Sequence, residues 1–483
     1  MTVELGATMD KIAGRILAAL AALIATAQGP QAFAQAAPRP DQLAFRALYK
    51  ELVETNTQFS SGDCTVAAAR MAARLKAAGF ADSDLHPFSV PDHPKEGGLV
   101  AIYPGRDPMA KAILLLAHID VVEAKREDWT RDPFTLVEEN GYFYARGALD
   151  DKAQAAIYTD TLIRFRQEGF HPRRTVKLAL TCGEESVGVF NGAQYLAKNQ
   201  RDLIDAQFAL NEGGGGREDG QGKPSWLTLQ VGEKLPQSFQ FEVTNPGGHS
   251  SRPVRNNAIT HLALAVAKLA PDTFPVALND TTRAYFDRLG RAIGGETGAA
   301  MVALAKNQTD HAAEEIVARD ASANGMMRTT CVPTMLNAGH AENALPQRAR
   351  GTVNCRILPG TSVEEIRLAL EKLVADPEVK ITPMAARSEP SKGMMLDAAV
   401  LGPAEKLAAE MFPGTPVIPS MSPAGTDAAF MAPAGIPTYG VPGILSDVDG
   451  NGVHGLNERI RVSSLYKGRD YIYRLVKLYA EGP

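Results

Sequence analysis

KLALTCGEES, residues 177–186, is the stretch whose reading decides the fold. The apolar run over 176–180 has the length of a buried strand, and it empties into a short polar loop with adjacent carboxylates, Glu184 and Glu185. Neighbouring acids at a strand end repel unless a cation or a proton takes up the charge. An isolated Glu-Glu pair is ordinarily a solvated acidic turn. Three further stretches change that reading. AILLLAHID (112–120) is a buried-type strand ending in His118 and Asp120. ARGALDDKA (145–153) sets Asp150 and Asp151 at a loop-to-helix start, and FALNEGGGG (208–216) is an apolar run ending in Glu212. Each stretch ends or follows an apolar run, where open α/β sheets keep their sites. Taken together, the four predict one metal site.

Outward from these stretches, strands and helices alternate. Strands are expected at 99–103, 112–117, 176–180 and 208–210, with helices at 65–78, 152–167 and 192–198. Asp63 is the expected N-cap of the first helix, Ala67, Met71 and Leu75 its apolar face, and Gly79 its stop. This alternation predicts an α/β fold with a mostly parallel central sheet flanked by helices. After Trp226 the pattern changes. SFQFEVT (238–244) alternates as a half-exposed antiparallel strand does. GGHSSRP (247–253), a helix at 258–269, a strand at 350–357, a helix at 361–375 with a Thr361/Glu364 capping box, and 379–383 complete a second α+β unit. Within it, 281–322 is a polar helical insertion that is expected to enlarge that unit. From about Ser388 apolar helix, strand and Gly-rich loop return, so one domain is read as inserted in another.

A chain of 483 residues is long enough for two or three domains. Its 45% hydrophobic and 22% charged residues are those of a globular protein. A net charge of −5 without a Lys/Arg run offers no basic face for nucleic acid. Four cysteines (Cys64, Cys182, Cys331, Cys355) with no CxxC argue against a disulfide scaffold or a thiolate zinc site, although oxidising conditions would allow a Cys331–Cys355 bridge. Lys11 and Arg15 precede the apolar run 16–27, and Ala32, Phe33 and Ala34 form an A-x-A cleavage pattern. Residues 1–34 therefore read as a signal peptide, giving a periplasmic or secreted chain that starts near Gln35. The apolar run is too short for a comfortable membrane span.

Singly, each candidate ligand has an ordinary structural reading: a satisfied strand-end histidine at His118, a charged N-cap at Asp150 and Asp151, a loop histidine at His454. As a set they offer two imidazoles and three or four carboxylates with no thiolate. That mix suits zinc, and also cobalt or manganese, and two metals sharing a carboxylate. Asp120 projects to the same side as His118 and is placed to fix its tautomer.

At this point the chain resembles the M20 metallopeptidases, a family that includes carboxypeptidases, dipeptidases and aminoacylases. The resemblance runs from about Gln42 to the C-terminus on AHIDVV, ARGALDDKA, GEES, NEGG, GGHSS, RILPG and VHGLNE. It implies a zinc-peptidase catalytic domain (35–234 and 388–483) interrupted by an inserted lid and dimerisation domain (235–387). It also implies two Zn²⁺ held by His118, Asp150, Glu185, Glu212 and His454. Asp150 would bridge, with His118 and Glu212 on one ion and Glu185 and His454 on the other. Glu184 would be the general base, and Asp120 would support His118. His249 would hold the substrate carbonyl or its oxyanion, Asn343 and Arg356 would bind a substrate carboxylate, and Gly425 and Thr426 would line the site. The Asp150–Asp151 peptide would be cis. The implied substrate is a small peptide or an N-acyl amino acid with a free carboxylate. Glu123 departs from the family, which usually has Pro there. Because 281–322 is too short for a second α+β unit, the expected assembly is a homodimer through the lid, with His249 acting in the partner's site.

Overall fold

The computed structural model describes residues 39–186, 190–270, 273–385 and 396–482. The signal peptide read over 1–34 and the return to the catalytic domain at Ser388 lie outside the described residues. From Ala44 onward the chain forms one compact unit.

Local signals place the first elements. Helix Cys64–Ala77 starts where the Asp63 side chain accepts from the Val66 N–H, an N-cap of the usual kind. Ala67, Met71 and Leu75, each one turn apart, are fully buried. The central sheet runs in the order Leu85–Val90, His93–Tyr103, Val176–Thr181, Ile113–His118, Phe208–Asn211, Thr438–Gly440, Pro224–Glu233, Val417–Ser422, with Gly215–Glu218 added on Pro224–Glu233. It is parallel through its centre, where Ile113–His118 lies between Val176–Thr181 and Phe208–Asn211. The latter strands follow Ile113–His118 in the chain but sit on opposite sides of it, so strand order reverses there and a crevice opens at the strand C-termini. Alternate residues face opposite layers. Leu115 and Ala117 pack into a core shared with helices Lys152–Glu168 and Val462–Glu481, while Leu114 and Leu116 pack toward helix Gly192–Asn199.

The second sheet is antiparallel, in the order Thr330–Ala338, Arg348–Ile357, Leu235–Thr244, Lys380–Pro383. Phe239, Phe241 and Val243 point into a core closed by helices Ala258–Ala267 and Val363–Val374, and the residues between them face away. The capping box of the second helix sits one residue later than the sequence suggests: Ser362 accepts from Glu365 N–H and Glu365 answers at Ser362 N–H. Strand Thr330–Ala338 escapes sequence reading because Pro333 interrupts it. The register shifts between Pro333 and Met335, and the strand is an edge strand, where proline is tolerated.

The insertion departs from expectation. Its helices Asp280–Ile293, Gly295–Lys306, His311–Val317 and Ala321–Met327 do not simply enlarge the second α+β unit. They form a core of their own around Phe286, Met301, Leu304 and Met327 that also takes in Ile418 and Met421 of the central sheet. Each such side chain, fully buried, contributes about 1.5–3 kcal/mol. Val417–Ser422 is the edge strand of that sheet, and Arg288 Nη1 donates to its Val417 carbonyl at 2.7 Å. The insertion therefore covers an edge that would otherwise be open to pairing. Lys234, where the chain leaves the central sheet for the second one, donates to the Gly325 and Arg328 carbonyls at 2.8 and 2.7 Å. Burial pushes its ammonium down to about 7.

All four cysteines are bridged, as Cys64–Cys182 and Cys331–Cys355. The first pair joins residues 118 apart in sequence, which no spacing rule could match, and it corrects the reading of scattered thiols. The second links cross-strand partners of the antiparallel sheet.

Candidate metal centre and active site

Parallel strands deliver their C-terminal ends to one edge of the sheet, and the candidate ligands gather there. His118 ends its strand, Glu184 and Glu185 follow Val176–Thr181, and Glu212 follows Phe208–Asn211. Asp150 lies in the turn before helix Lys152–Glu168, next to a cis Asp150–Asp151 peptide of the kind the resemblance implies. His454 comes from a Gly-rich loop where it adopts φ +58°, an uncommon conformation for a residue with a side chain.

Asp150 divides its carboxylate between the two imidazoles: Oδ1 is 3.2 Å from His118 Nε2 and Oδ2 is 3.1 Å from His454 Nε2. Glu212 Oε1 lies 3.6 Å from His118 Nε2, and Glu185 Oε2 lies 3.0 Å from His454 Nε2. Ligand atoms of His118, Glu184 and Glu212, and again of His118, Asp150 and Glu185, fall within 4.8 Å of one another. Four carboxylates and two imidazoles at this spacing fit two divalent cations with Asp150 between them. The supporting role of Asp120 differs in detail from expectation. His118 Nδ1 is 3.1 Å from the Asp120 backbone carbonyl and 3.6 Å from its carboxylate. The carboxylate instead accepts from the Glu184 and Glu185 N–H groups at 3.4 and 3.0 Å. A proton on Nδ1 donated to the carbonyl leaves the Nε2 lone pair facing Asp150 and Glu212.

Without a cation, protons take up the charge. Burial works against charge on Asp150, yet both imidazoles hold its carboxylate well below the usual range. Burial would push the His118 imidazole down, but Glu212, Asp120 and Asp150 hold its proton well above the ordinary value. Hydrogen bonds to Asp150 and Glu185 push His454 up to about 10. Glu184 is pushed up to about 10, first by burial and then by the nearby carboxylates of Glu212, Asp427 and Glu185. A buried carboxylate with that affinity for protons, beside two imidazoles, is suited to general-base work once positive charge is supplied.

The residues proposed to touch substrate fall in two places. Arg356 is the cross-strand partner of Pro236, and Gly425 lies against the same Pro236. Thr426 Oγ1 accepts from Asn211 Nδ2 at 3.1 Å, one residue before Glu212, which brings Thr426 toward the cluster of carboxylates and imidazoles. His249 and Asn343 sit together on the two-stranded ribbon of Gly248–His249 with Ala344–Leu345, where Ser250 N–H donates to the Asn343 carbonyl. His249 is exposed, and its Nδ1 accepts from the Ser251 N–H, which puts its proton on Nε2.

Several supporting residues escape sequence reading. Asp427 is buried under the cluster and accepts from Thr181 Oγ1 and Asn191 Nδ2. Glu233 accepts from the Thr426 N–H and hydroxyl at 2.9 and 3.0 Å. Arg146 and Glu458, fully buried, form an ion pair at 2.8 Å. For Asp427, Arg146 and Glu458 the only signal is membership of the stretches SPAGTDA (422–428), ARGALDDKA and VHGLNE, and Glu233 lies in none of them. Residues 447–458 also have the D-x-D-x-N-G-x5-E spacing of a calcium loop. Here Asp447 pairs with Arg461, Asp449 with Arg459 and Glu458 with Arg146, so these carboxylates face guanidinium groups.

Known proteins resemble this chain in sequence and in fold. The family described as Peptidase family M20/M25/M40 matches residues 114–478. The chain is 29% identical over 391 residues to "Probable carboxypeptidase S-like 2" of Dictyostelium discoideum, covering 78% of this chain and 74% of that protein. It is 28% identical over 388 residues to an N-fatty-acyl-amino acid synthase/hydrolase of Mus musculus, covering 77% and 75%. Among solved structures, an M20 family metallo-carboxypeptidase from Sulfolobus solfataricus shares the fold with a TM-score of 0.64 at 19% identity, covering 92% of this chain and 100% of that one.

Proposed function

The chain belongs to peptidase family M20/M25/M40 and is a hydrolase of amide bonds, and on that premise we propose that it is a di-zinc enzyme cleaving an amide next to a free carboxylate in small peptides, as a carboxypeptidase or dipeptidase does. The observation that carries the reading is Asp150, whose two oxygens face two imidazoles within a ring of carboxylates. His118 and Glu212 would hold one ion, Glu185 and His454 the other, and Asp150 both; cobalt and manganese suit the same donors. Bound there, the two cations would supply Lewis acidity and make nearby water more acidic. Glu184 takes a proton from the attacking water and passes it to the leaving amine. The Nε2 proton of His249 is a donor for the developing oxyanion. Arg356, beside Gly425 and Thr426 at Pro236, pairs with the substrate carboxylate in a planar, bidentate way that suits a guanidinium.

A second reading, hydrolysis of N-acyl amino acids at the same site, is supported by the 28% identity to an N-fatty-acyl-amino acid synthase/hydrolase. Exposed Val453 and Leu456, which flank His454, would suit an apolar acyl group. A panel of dipeptides, C-terminally amidated dipeptides and N-acyl amino acids of increasing chain length separates the readings. Faster turnover of dipeptides supports the first, and faster turnover of long-chain acyl substrates the second. Equal turnover of free and amidated substrates would remove the carboxylate subsite altogether.

We further propose that the enzyme is a homodimer through the lid. Strand Thr330–Ala338 lies at the edge of its sheet with seven of nine residues exposed, Met335 and Leu336 among them, and such an edge favours pairing with a second chain. Export of the chain, with removal of residues 1–34, is proposed from the sequence. N-terminal sequencing of protein from its native host tests it, and recovery of Met1 would sink it.

A further inference from the structure

Asp150 and His454 are more than 300 residues apart in sequence, and both lie in irregular chain. Asp150 occupies a turn beside a cis peptide, and His454 lies in a loop where Asn451, His454 and Asn457 all have positive φ. Neither segment fixes its own geometry by regular hydrogen bonding, and left-handed residues persist only where surroundings over-determine them. The spacing of the two side chains must therefore be set by something that touches both segments.

Arg146 and Glu458 do so reciprocally. Arg146, four residues before Asp150, sends Nη2 across to the Gly455 carbonyl at 2.8 Å, beside His454. Glu458, four residues after His454, reaches back to the Asp150 turn. Its Oε2 accepts from Arg146 Nη1 and the Gly147 N–H at 2.8 and 2.9 Å, and its Oε1 accepts from the Leu149 and Asp150 N–H groups at 2.8 and 3.0 Å. The return path is closed by the backbone, with Ala145 N–H donating to the Glu458 carbonyl. The guanidinium lies over the Trp129 ring, 5.0 Å from its centroid. All four contacts to the Glu458 carboxylate are donors. Only an ionised carboxylate has four acceptor positions for them, so an amide of identical shape would turn its NH₂ against two N–H groups.

We propose that Arg146 and Glu458 are a latch that sets the distance between Asp150 and His454, and that they are positioning residues for the cation those two ligands share with Glu185. This rests on the reading of Asp150 and His454 as metal ligands. It leaves the His118–Glu212 position less affected: that position shares Asp150, but its other two ligands end strands of the central sheet and need no latch, whereas His454 depends on it as well as Asp150.

The test is metal binding, read apart from activity. Metal-free wild type, Glu458→Gln, Arg146→Lys and His454→Ala are titrated with Zn²⁺ against a chromophoric chelator of known affinity, with circular dichroism to establish folding. The expected result is two equivalents in wild type. In Glu458→Gln one tight equivalent remains and the second weakens about 10–100-fold, the usual consequence of losing a group that orients a ligand. Arg146→Lys keeps the charge and loses the planar fork, so the second equivalent weakens by a smaller factor; it decides the matter should Glu458→Gln not fold. A wild type that binds fewer than two equivalents, or a His454→Ala protein that still binds two with unchanged affinity, overturns the ligand reading. Two equivalents of unchanged affinity in a folded Glu458→Gln or Arg146→Lys protein, with His454→Ala losing one, overturns the latch alone. Equal weakening of both equivalents also overturns it, because a general loss of structure would do that.

Discussion

Glu233→Gln isolates one buried carboxyl and gives a pH signature whose sign is fixed in advance. Glu233 is pushed up to about 8 from an ordinary 4.5, first by burial and then by the carboxylates of Glu212 and Asp427, against the pull of its hydrogen bonds from Thr426. Its Oε2 accepts from Thr426, while Oε1 is buried without a partner among the described residues, so the protonated acid and a glutamine are close to interchangeable here. The sign follows from proton uptake. An acid with a raised folded pKa holds a proton that the unfolded chain releases above about 4.5, so wild-type stability falls as pH rises from there to about 8. The glutamine has no proton to lose. At about 1.4 kcal/mol per pH unit the whole interval is worth at most about 5 kcal/mol, and about 2–5 is expected once the protein relaxes around the charge. Urea unfolding midpoints of the two metal-free proteins at pH 5, 6.5 and 8 provide the measurement, with the titrations of groups remote from Glu233 cancelling in the difference. The gap should be under about 1 kcal/mol at pH 5 and widen in favour of Glu233→Gln toward pH 8. Parallel curves would show that Glu233 ionises normally and that the reasoning from burial is wrong.

Glu184→Gln should lower kcat by about 10²–10⁴ with zinc stoichiometry intact, as loss of a general base does; loss of zinc would instead make Glu184 a ligand. Replacing Cys64 and Cys182 together by serine opens a closed loop of 118 residues. Chain entropy sets that cost at about 5 kcal/mol, which for a unit of this size is a fall of roughly 5 °C in melting temperature; an unchanged melt would mean the bridge does not constrain the native protein. Mixing His249→Ala with Glu184→Ala tests the lid dimer. Random re-pairing restores one intact site in a heterodimer and about a quarter of wild-type activity per total site, whereas no recovery despite verified subunit exchange would place His249 in its own chain's site.

Sequence alone determined the elements whose signals are local. The apolar runs that became Ile113–His118, Val176–Thr181 and Phe208–Asn211 announced both the strands and the candidate ligands at their ends, because in a parallel sheet the site lies where the strands stop. Strand Leu235–Thr244 of the antiparallel sheet was legible from its alternation, and helix Cys64–Ala77 from its cap and its four-residue spacing. Tertiary structure decided what depends on partners distant in the chain. Cys64 meets Cys182 only because the first helix packs beside the central sheet. The insertion covers the edge strand Val417–Ser422, although its own polar pattern pointed to a flap on the lid. Asp120 gives its carboxylate hydrogen bonds to the Glu184 and Glu185 amides and meets His118 most closely through its backbone carbonyl. Arg146 and Glu458 stand out in no local pattern, and it is the fold that buries them against each other. Periodicity and capping are written in neighbouring residues, whereas a buried charge takes its meaning from whichever donors the finished fold brings within 3 Å of it.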